Sequence, residues 1–440
     1  MAGPIPRYLL PDNSSVADGR LSIGGCDVLE LAAEYGTPLF VYDEEQMRAR
    51  CREAVEAFGD GVAYATKSFL CTAMARLAHE EGMLLDVATG GEMFVALHAG
   101  VPAARLVLHG NNKSELELRM ALEAGVGRIV VDSSDEMDLL ETLHGRGLGP
   151  ASVLIRITPG VEAHTHDYIA TGHDDTKFGF TVSTGAAAAA VARAIDSPAM
   201  NVLGIHAHIG SQVFRLASFV EAARVIAGFA GRFELDELSI GGGLGVAYVE
   251  GESAPTIRAW AEAIRQVAAE QGVTARIMAE PGRAIVAGAA ITLYRVGTIK
   301  VLPGIRTYVA VDGGMSDNPR PVLYGSGYET FVPGAVDAQR PQTVTVVGKH
   351  CESGDVLVRD GFVPDDLRVG DILATPVTGA YGHSMGSGYN KVLRPAVVFC
   401  KDGAARLVVR RNLRGLDQAG RGVADGPSLL GFNEKPQGFD

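Results

Sequence analysis

Between residues 62 and 280, short apolar runs alternate with helical patterns almost without interruption, and few architectures tolerate such an alternation. The runs are VAYAT (62–66), MLLDV (83–87), RLVLH (105–109), RIVVD (128–132), SVLIRI (152–157), VLGIHAH (202–208), LSIGG (238–242) and ARIMAE (275–280). They are rich in β-branched and apolar residues, as strands covered on both faces are. The stretches between them have helical spacing: in SFVEAARVIAGFAG, Phe219, Ala222, Ala223, Ile226 and Phe229 fall on one face. Four of these stretches open with a hydroxyl and a glutamate three residues on, the pattern of a capping box. The pairs are Thr89 with Glu92, Ser114 with Glu117, Ser133 with Glu136 and Ser218 with Glu221. Eight strands with crossover helices in roughly 220 residues predict an (α/β)8 TIM-type barrel. A doubly wound open sheet is the alternative, but it would not need eight regular units.

After residue 290 the texture changes. ITLYRVGTIKVL, RTYVAVDGG, TVTVVGKH, DILATPV, RPAVVFC and ARLVVRR read as strands, with turn signals such as Asp402-Gly403 and few helical periods. A second, all-β domain, a sandwich or barrel, is expected there. The first 40 residues carry a strand (RLSIG), a short helix (CDVLELAAEYG) and the start of another strand (PLFVYD), and are expected to join it. The predicted division is therefore 1–40, 41–290 and 291–440. At 440 residues the chain is long enough for a barrel and a companion.

Composition narrows the function. A net charge of −13 argues against nucleic acid and anionic membrane as partners, but leaves room for small anionic ligands in a local positive pocket. No run approaches the roughly 18 apolar residues of a membrane helix. The start, MAGPIPRYLLPDNSS, lacks the basic and apolar regions of a secretory signal. Five cysteines without a CxxC read as reduced thiols, which suits a cytoplasmic protein.

In such a barrel the chemistry sits at the carboxyl ends of the strands. The residues gathered there are Lys67, Asp86, His109-Gly-Asn-Asn, Arg156, HIGSQ (208–212), GGGLG (241–245) and EPGR (280–283). Lys67 closes GVAYATKS, one glycine short of a nucleotide-binding P-loop. Val62 to Thr66 favour a strand over an anion cradle, so the nucleotide reading is the weaker one. A solvated surface lysine is the plain alternative. A lysine that ends an apolar strand at the active face can instead react as an amine and form a Schiff base.

GGGLGV misses G-x-G-x-x-G because Val246 holds the last position. Its bare N–H groups can still hold a phosphate near strands seven and eight, although a tight turn without a ligand is also possible. Gly282 and Arg283 would add an N–H and a guanidinium. Glu280 can pair with a protonated pyridine nitrogen, although a glutamate before Pro-Gly is often only a turn. His206 and His208 share one side of a strand, with His164, His166 and His173 nearby in sequence. No carboxylate or cysteine completes a familiar metal spacing, so no metal is assigned, and stacking of His208 on an aromatic cofactor is more economical.

With Lys67, HIGSQ, GGGLG and EPGR in this order, the chain resembles the fold type III, alanine-racemase-like pyridoxal 5′-phosphate decarboxylases. The resemblance runs from VYD (41–43) to RPAVV (394–398). It includes HGNNKS, TGHDDTKFGF, VDGGMSDNPRPVLY, GKHCESGD and GAYGHSMGSGYN. It implies that Lys67 carries the cofactor covalently and that His208 stacks on its ring. Ser211, Gly243, Gly282 and Arg283 would surround the phosphate, and Glu280 would pair with the ring nitrogen. Cys351 would be the proton donor, supplied across a homodimer interface by the partner subunit. Read without the motif, Cys351 would be a small buried hydrophobe.

Arg320, Tyr324, Glu352 and Tyr381 would contact substrate, as would Arg283, with Tyr381 also near the cofactor. The implied reaction is decarboxylation of meso-2,6-diaminopimelate to L-lysine and CO2, the last step of lysine biosynthesis. The opposite signs of Arg320 and Glu352 suit the far amino-acid end of that substrate. Siblings that act on ornithine, arginine, carboxynorspermidine or a carrier-bound glutamyl group remain the alternative. Gly388 departs from the larger polar residue that the family often has there.

Overall fold

The computed structural model describes residues 2–161 and 174–411. His164, His166, His173 and the first three residues of TGHDDTKFGF lie outside them. Each of the eight apolar runs forms a strand. These are Ala63–Ala65, Leu84–Val87, Leu106–Leu108, Arg128–Val131, Ala151–Thr158, Met200–His206, Glu237–Ser239 and Arg276–Met278. They pair in chain order and in parallel, with Ala63 opposite Leu84 and Leu85 opposite Leu106. The first and last strands then meet. Ala63 N–H donates to the Ala279 carbonyl at 2.9 Å, Ala65 N–H to that of Pro281 at 3.1 Å, and Ala279 N–H to that of Gly61 at 3.2 Å. The expected barrel closes.

Its interior is packed. Ala63, Leu84, Val107, Val130, Leu154 and Met278, each from a different strand, form their own cluster. Their neighbours along the strands, such as Tyr64, Leu85 and Ile129, belong to the larger core instead, as period-two alternation requires. The floor is electrostatic. Glu237, at the start of the seventh strand, accepts two hydrogen bonds from Arg128 of the fourth (2.5 and 2.6 Å) and one from Arg276 of the eighth.

Thr89, Ser114 and Ser133 cap their helices as expected, each accepting from the N–H of the predicted glutamate. The reciprocal box is complete at Ser114 and Glu117. Glu92 and Glu136 reach one residue further back, to the N–H groups of Ala88 (2.7 Å) and Asp132 (3.0 Å). Ser218 is not a cap. The helix Leu216–Ala230 begins two residues before it, after Arg215, and Ser218 lies buried in its first turn.

The second part of the chain builds one mixed sheet of eight strands. Its hub is the 13-residue strand Ala290–Leu302, which pairs with Leu39–Asp43, Arg306–Val311 and Ile372–Pro376. Leu39–Asp43 lies between that hub and Ala396–Lys401. The segment before the barrel is thus built into this sheet. RLSIG is not in it. That segment pairs with Ser14–Ala17 and Cys26–Asp27 in a small antiparallel sheet, docked by Leu21 N–H on the Pro333 carbonyl and Gly403 N–H on that of Gly24, both 2.8 Å. At Gly24 (φ 55°) a Cβ would stand 2.5 Å from the Cys400 carbonyl oxygen, so only glycine permits this contact.

Val356–Val363 forms a further strand that was not among those expected, with Asp360-Gly361 inside it. Asp360 does take φ 54°, but pairing with Gln342–Val347 continues through two register shifts, one spanning Asp360 between Val358 and Gly361 and one between Val356 and Val358. Asp402 and Gly403, at φ 53° and 76°, make the hairpin turn expected of them. Among the described residues no helix is long and apolar enough to cross a membrane.

Candidate active site

A cavity of about 400 Å³ opens where the barrel strands end. Lys67, His208, Ser211, Gly243, Glu280, Gly282, Arg283 and Tyr381 all line it, beside Asp86, His109, Arg156 and His206. Lys67 sits in the single turn Thr66–Ser68 that follows the first strand. Its side chain is exposed to the cavity, and its amine has no hydrogen bond or ion pair among the described residues. Thr66 anchors the turn through the Asp86 carbonyl (2.7 Å) and Ser68 through that of Ala65 (2.8 Å). The backbone here is strand and turn with no glycine nest, so the P-loop reading has no structural basis.

Across the cavity, Glu280 is held from three directions. His206 Nε2 lies 3.0 Å from one oxygen, and Ser239 Oγ donates to the other at 3.1 Å. His109 Nε2 is 3.3 Å from the same oxygen as Ser239. Burial would raise the Glu280 carboxyl, but the His206 and His109 imidazoles hold it well below the usual carboxylate range. Burial pushes His206 down to about 4 despite Glu280. His206 is therefore neutral and must carry its proton on Nε2, since an ionised carboxylate only accepts. His109 moves the other way: burial lowers it, but Asp86 and Glu280 together raise it. The site thus contains the fixed anion expected of Glu280.

His109, His206 and Glu280 place their ligand atoms within 4.8 Å of one another. The sequence showed no carboxylate at metal-binding spacing, but one is present in space. Here it serves a hydrogen-bonded cluster under the cavity.

His208 is also neutral. Burial, then the positive charges of Lys67 and Arg156, push its imidazole well below the ordinary value. Its Nδ1 accepts from the Gly242 N–H at 3.1 Å, which ties the ring to the glycine loop. That loop admits no side chains: a Cβ at Gly242 would stand 2.2 Å from the Glu280 carbonyl oxygen, and at Gly243 (φ 112°) 2.2 Å from that of Gly210. Gln212 locks it from the HIGSQ side by pairing both its amide atoms with the Val246 backbone (2.7 and 3.3 Å). Arg283 donates to Ser211 Oγ at 3.0 Å and to Tyr248 Oη at 2.6 Å, and its guanidinium lies 4.7 Å from the Tyr381 ring centroid. Tyr381 comes from the second sheet's side of the molecule. It takes φ 63°, and its N–H donates to the Ser68 carbonyl at 2.8 Å. A non-glycine residue at positive φ carries strain, and here that strain sets a ring over the cavity.

Four predicted residues do not line the cavity. Arg320 starts the short helix Arg320–Tyr324, is 4% exposed, and places its guanidinium 4.1 Å from the Tyr248 ring centroid. Tyr324, half-buried, ends the same helix. Cys351 and Glu352 are exposed on a loop held by Asp355, which accepts from Met315 N–H (2.6 Å) and His350 N–H (2.9 Å). His350 bridges Ser316 Oγ (2.8 Å) and Asn390 Oδ1 (3.2 Å), and Asn390 also accepts from the Cys351 N–H (3.2 Å). The segments GGMSDN, GKHCESGD and GSGYN thus meet around His350. Gly388 has open space where a Cβ would stand, so a larger residue would fit there. Sequence reasoning missed Tyr248 and Tyr328. Each is a loop aromatic with no spacing signal, and only their contacts with arginine mark them.

These features define a class. A lysine at a strand end with no partner among the described residues, an anion in the same cavity and a glycine cradle in a barrel are what a pyridoxal phosphate enzyme requires. A model of the pyridoxal-binding domain of pyridoxal-dependent decarboxylases matches residues 44–287. The chain is 47% identical over 414 residues to the diaminopimelate decarboxylases of Mycobacterium tuberculosis and Bacillus subtilis, covering 89% of this chain and 93% of each relative. It superposes on the crystal structure of M. jannaschii diaminopimelate decarboxylase in complex with L-lysine with a TM-score of 0.84 and 34% identity, covering 91% of this chain and 95% of that one. The chain belongs to the diaminopimelate decarboxylase family.

Its cofactor is pyridoxal 5′-phosphate, and the residues present fit it. The Lys67 amine, without a partner among the described residues, suits the aldehyde, the ionised Glu280 the pyridine nitrogen, and neutral His208 a ring face. The Gly242–Gly243 cradle with Ser211 and Arg283 suits the phosphate. Arg283 Nε is buried without a hydrogen-bond partner among the described residues, as a donor awaiting an anion would be.

Proposed function

We propose that this chain removes one carboxylate of meso-2,6-diaminopimelate as CO2 and leaves L-lysine, closing lysine biosynthesis. The observation that carries the reading is one glycine-cradled cavity lined by the ionised Glu280 and by a Lys67 amine that has no hydrogen bond or ion pair among the described residues. When bound, the cofactor supplies an electron sink for the pair left behind as CO2 departs. Lys67 would hold the cofactor through its amine. Glu280 keeps the pyridine nitrogen protonated, and His206 and Ser239 keep Glu280 oriented. His208 would lie against the ring without bringing a second charge. Arg283 and Arg320 take substrate carboxylates, and Tyr324, Tyr381 and Glu352 complete the substrate's surroundings.

In this proposal residues 41–290 hold the cofactor, and residues 291–440 bring Tyr381 and the substrate groups, joined by segment 1–40. Cys351 returns a proton to the substrate carbon. Its exposure on a rigid loop away from its own chain's cavity supports delivery by a second copy, in a cytoplasmic homodimer whose active sites are shared.

The test is CO2 release from meso-diaminopimelate, ornithine, arginine and carboxynorspermidine compared in one assay. Turnover of meso-diaminopimelate should exceed the others, and a preference for any of them would overturn the substrate. Cys351→Ala should bind cofactor normally and lose about 10² to 10⁴ in kcat, the usual worth of a general acid. Mixing it with inactive Lys67→Ala protein should restore activity in hybrids. Failure of hybrids to form active sites would place the thiol's action within one chain.

A further inference from the structure

Tyr248 follows the glycine loop and is 3% exposed, yet no step above uses it. Its hydroxyl accepts from Arg283 Nη1 at 2.6 Å, while the Arg320 guanidinium lies 4.1 Å from its ring centroid. Tyr328 completes the bracket. Its ring meets Tyr248 edge-on at 5.1 Å, and its hydroxyl accepts from Arg320 Nη1. Neither arginine has a carboxylate within ion-pair distance among the described residues, although both are buried, at 7% and 4% exposure. The Nε atoms of both are buried without a hydrogen-bond partner among those residues.

Two buried cations without an anion are costly unless one arrives from outside. Aromatic faces offset part of that cost and use none of the guanidinium's N–H donors. Tyrosine therefore suits this place better than a carboxylate, which would neutralise the arginine and occupy its fork.

We propose that Tyr248 is a positioning residue for specificity. It would hold Arg320 ready for the carboxylate at the far end of the substrate, and fix its separation from Arg283. The proposal rests on the functional reading above and adds the residue that sets recognition of that remote carboxylate. A ligand that ends in a bare amine would gain nothing from it.

The experiment uses holoenzyme carrying Tyr248→Met, which keeps bulk without a ring face, and Tyr248→Phe, which keeps the face without the hydroxyl. KM and kcat for meso-diaminopimelate are measured with inhibition constants for L-lysine, which retains one amino-acid end, and 1,5-diaminopentane, which has no carboxylate. Tyr248→Met should raise KM and the L-lysine constant together by about tenfold, the scale of a desolvated cation–π contact. Its kcat and the diaminopentane constant should move far less, and Tyr248→Phe should recover most of the loss.

An unchanged KM in Tyr248→Met, or an equal rise for diaminopentane, overturns the proposal. If the methionine variant does not fold, Tyr328→Phe removes only the hydroxyl facing Arg320. It should show the same selective shift at smaller size, and wild-type constants there overturn the proposal equally. A wild-type enzyme that does not turn over meso-diaminopimelate overturns the functional reading and this role with it. A working wild type with unselective variants overturns this role alone.

Discussion

Lys67→Ala should leave a folded protein that no longer fixes pyridoxal phosphate when treated with borohydride, with kcat lower by at least about 10³. Folding should survive because the Lys67 side chain projects into the cavity and makes no hydrogen bond or ion pair among the described residues. The turn that carries it is held by Thr66, Ser68 and the Tyr381 N–H, none of which the substitution touches. Had GVAYATKS been a nucleotide loop, the same variant would instead lose affinity for nucleoside triphosphate and keep any aldehyde chemistry. Borohydride labelling mapped by peptide mass decides between them. Label found on another lysine would remove Lys67 from its role.

Glu280→Gln should keep the bound cofactor's colour and lose at least about 10² in kcat, the usual cost of removing one preorganised electrostatic partner. The amide matches the carboxylate in size, and His206 Nε2 can still donate to its oxygen, so the cluster should remain packed. What disappears is the negative charge. Held by His206 and His109 well below the usual carboxylate range, Glu280 stays ionised throughout the physiological pH range. The wild-type rate should therefore show no acidic limb from this residue between about pH 5 and 7. A glutamine variant with full activity would mean that ring protonation is supplied elsewhere.

The barrel was legible because every strand lies under helices on one side and a packed interior on the other, so its residues form apolar runs. Three of the four proposed caps were legible for a local reason, since the hydroxyl and its N–H partner lie three residues apart. Ser218 failed because the same spacing also occurs one turn inside a helix. Within the site, residues placed by strand ends could be read from order alone, including Lys67, His208, Gly243, Glu280 and Arg283. Tyr381 required the family motif, because no rule of spacing joins a second sheet to a barrel mouth. Tyr248 and Tyr328 could not be read by either route. Tyr248 matters through what it touches 35 and 72 residues away and Tyr328 through Arg320 and Tyr248, and an isolated aromatic residue in a loop carries no pattern. Val356–Val363 holds an Asp-Gly pair inside it, and in sequence such a pair looks like a strand's end.

The placement of Leu39–Asp43 bears on how such an enzyme can evolve. This strand enters the barrel's first helix directly, yet it is hydrogen-bonded on both edges by strands from residues 290–302 and 396–401. The barrel is therefore no transplantable cassette. A recombination joint near residue 290 would leave that strand with two bare edges, and the two halves of the gene are bound to be inherited together.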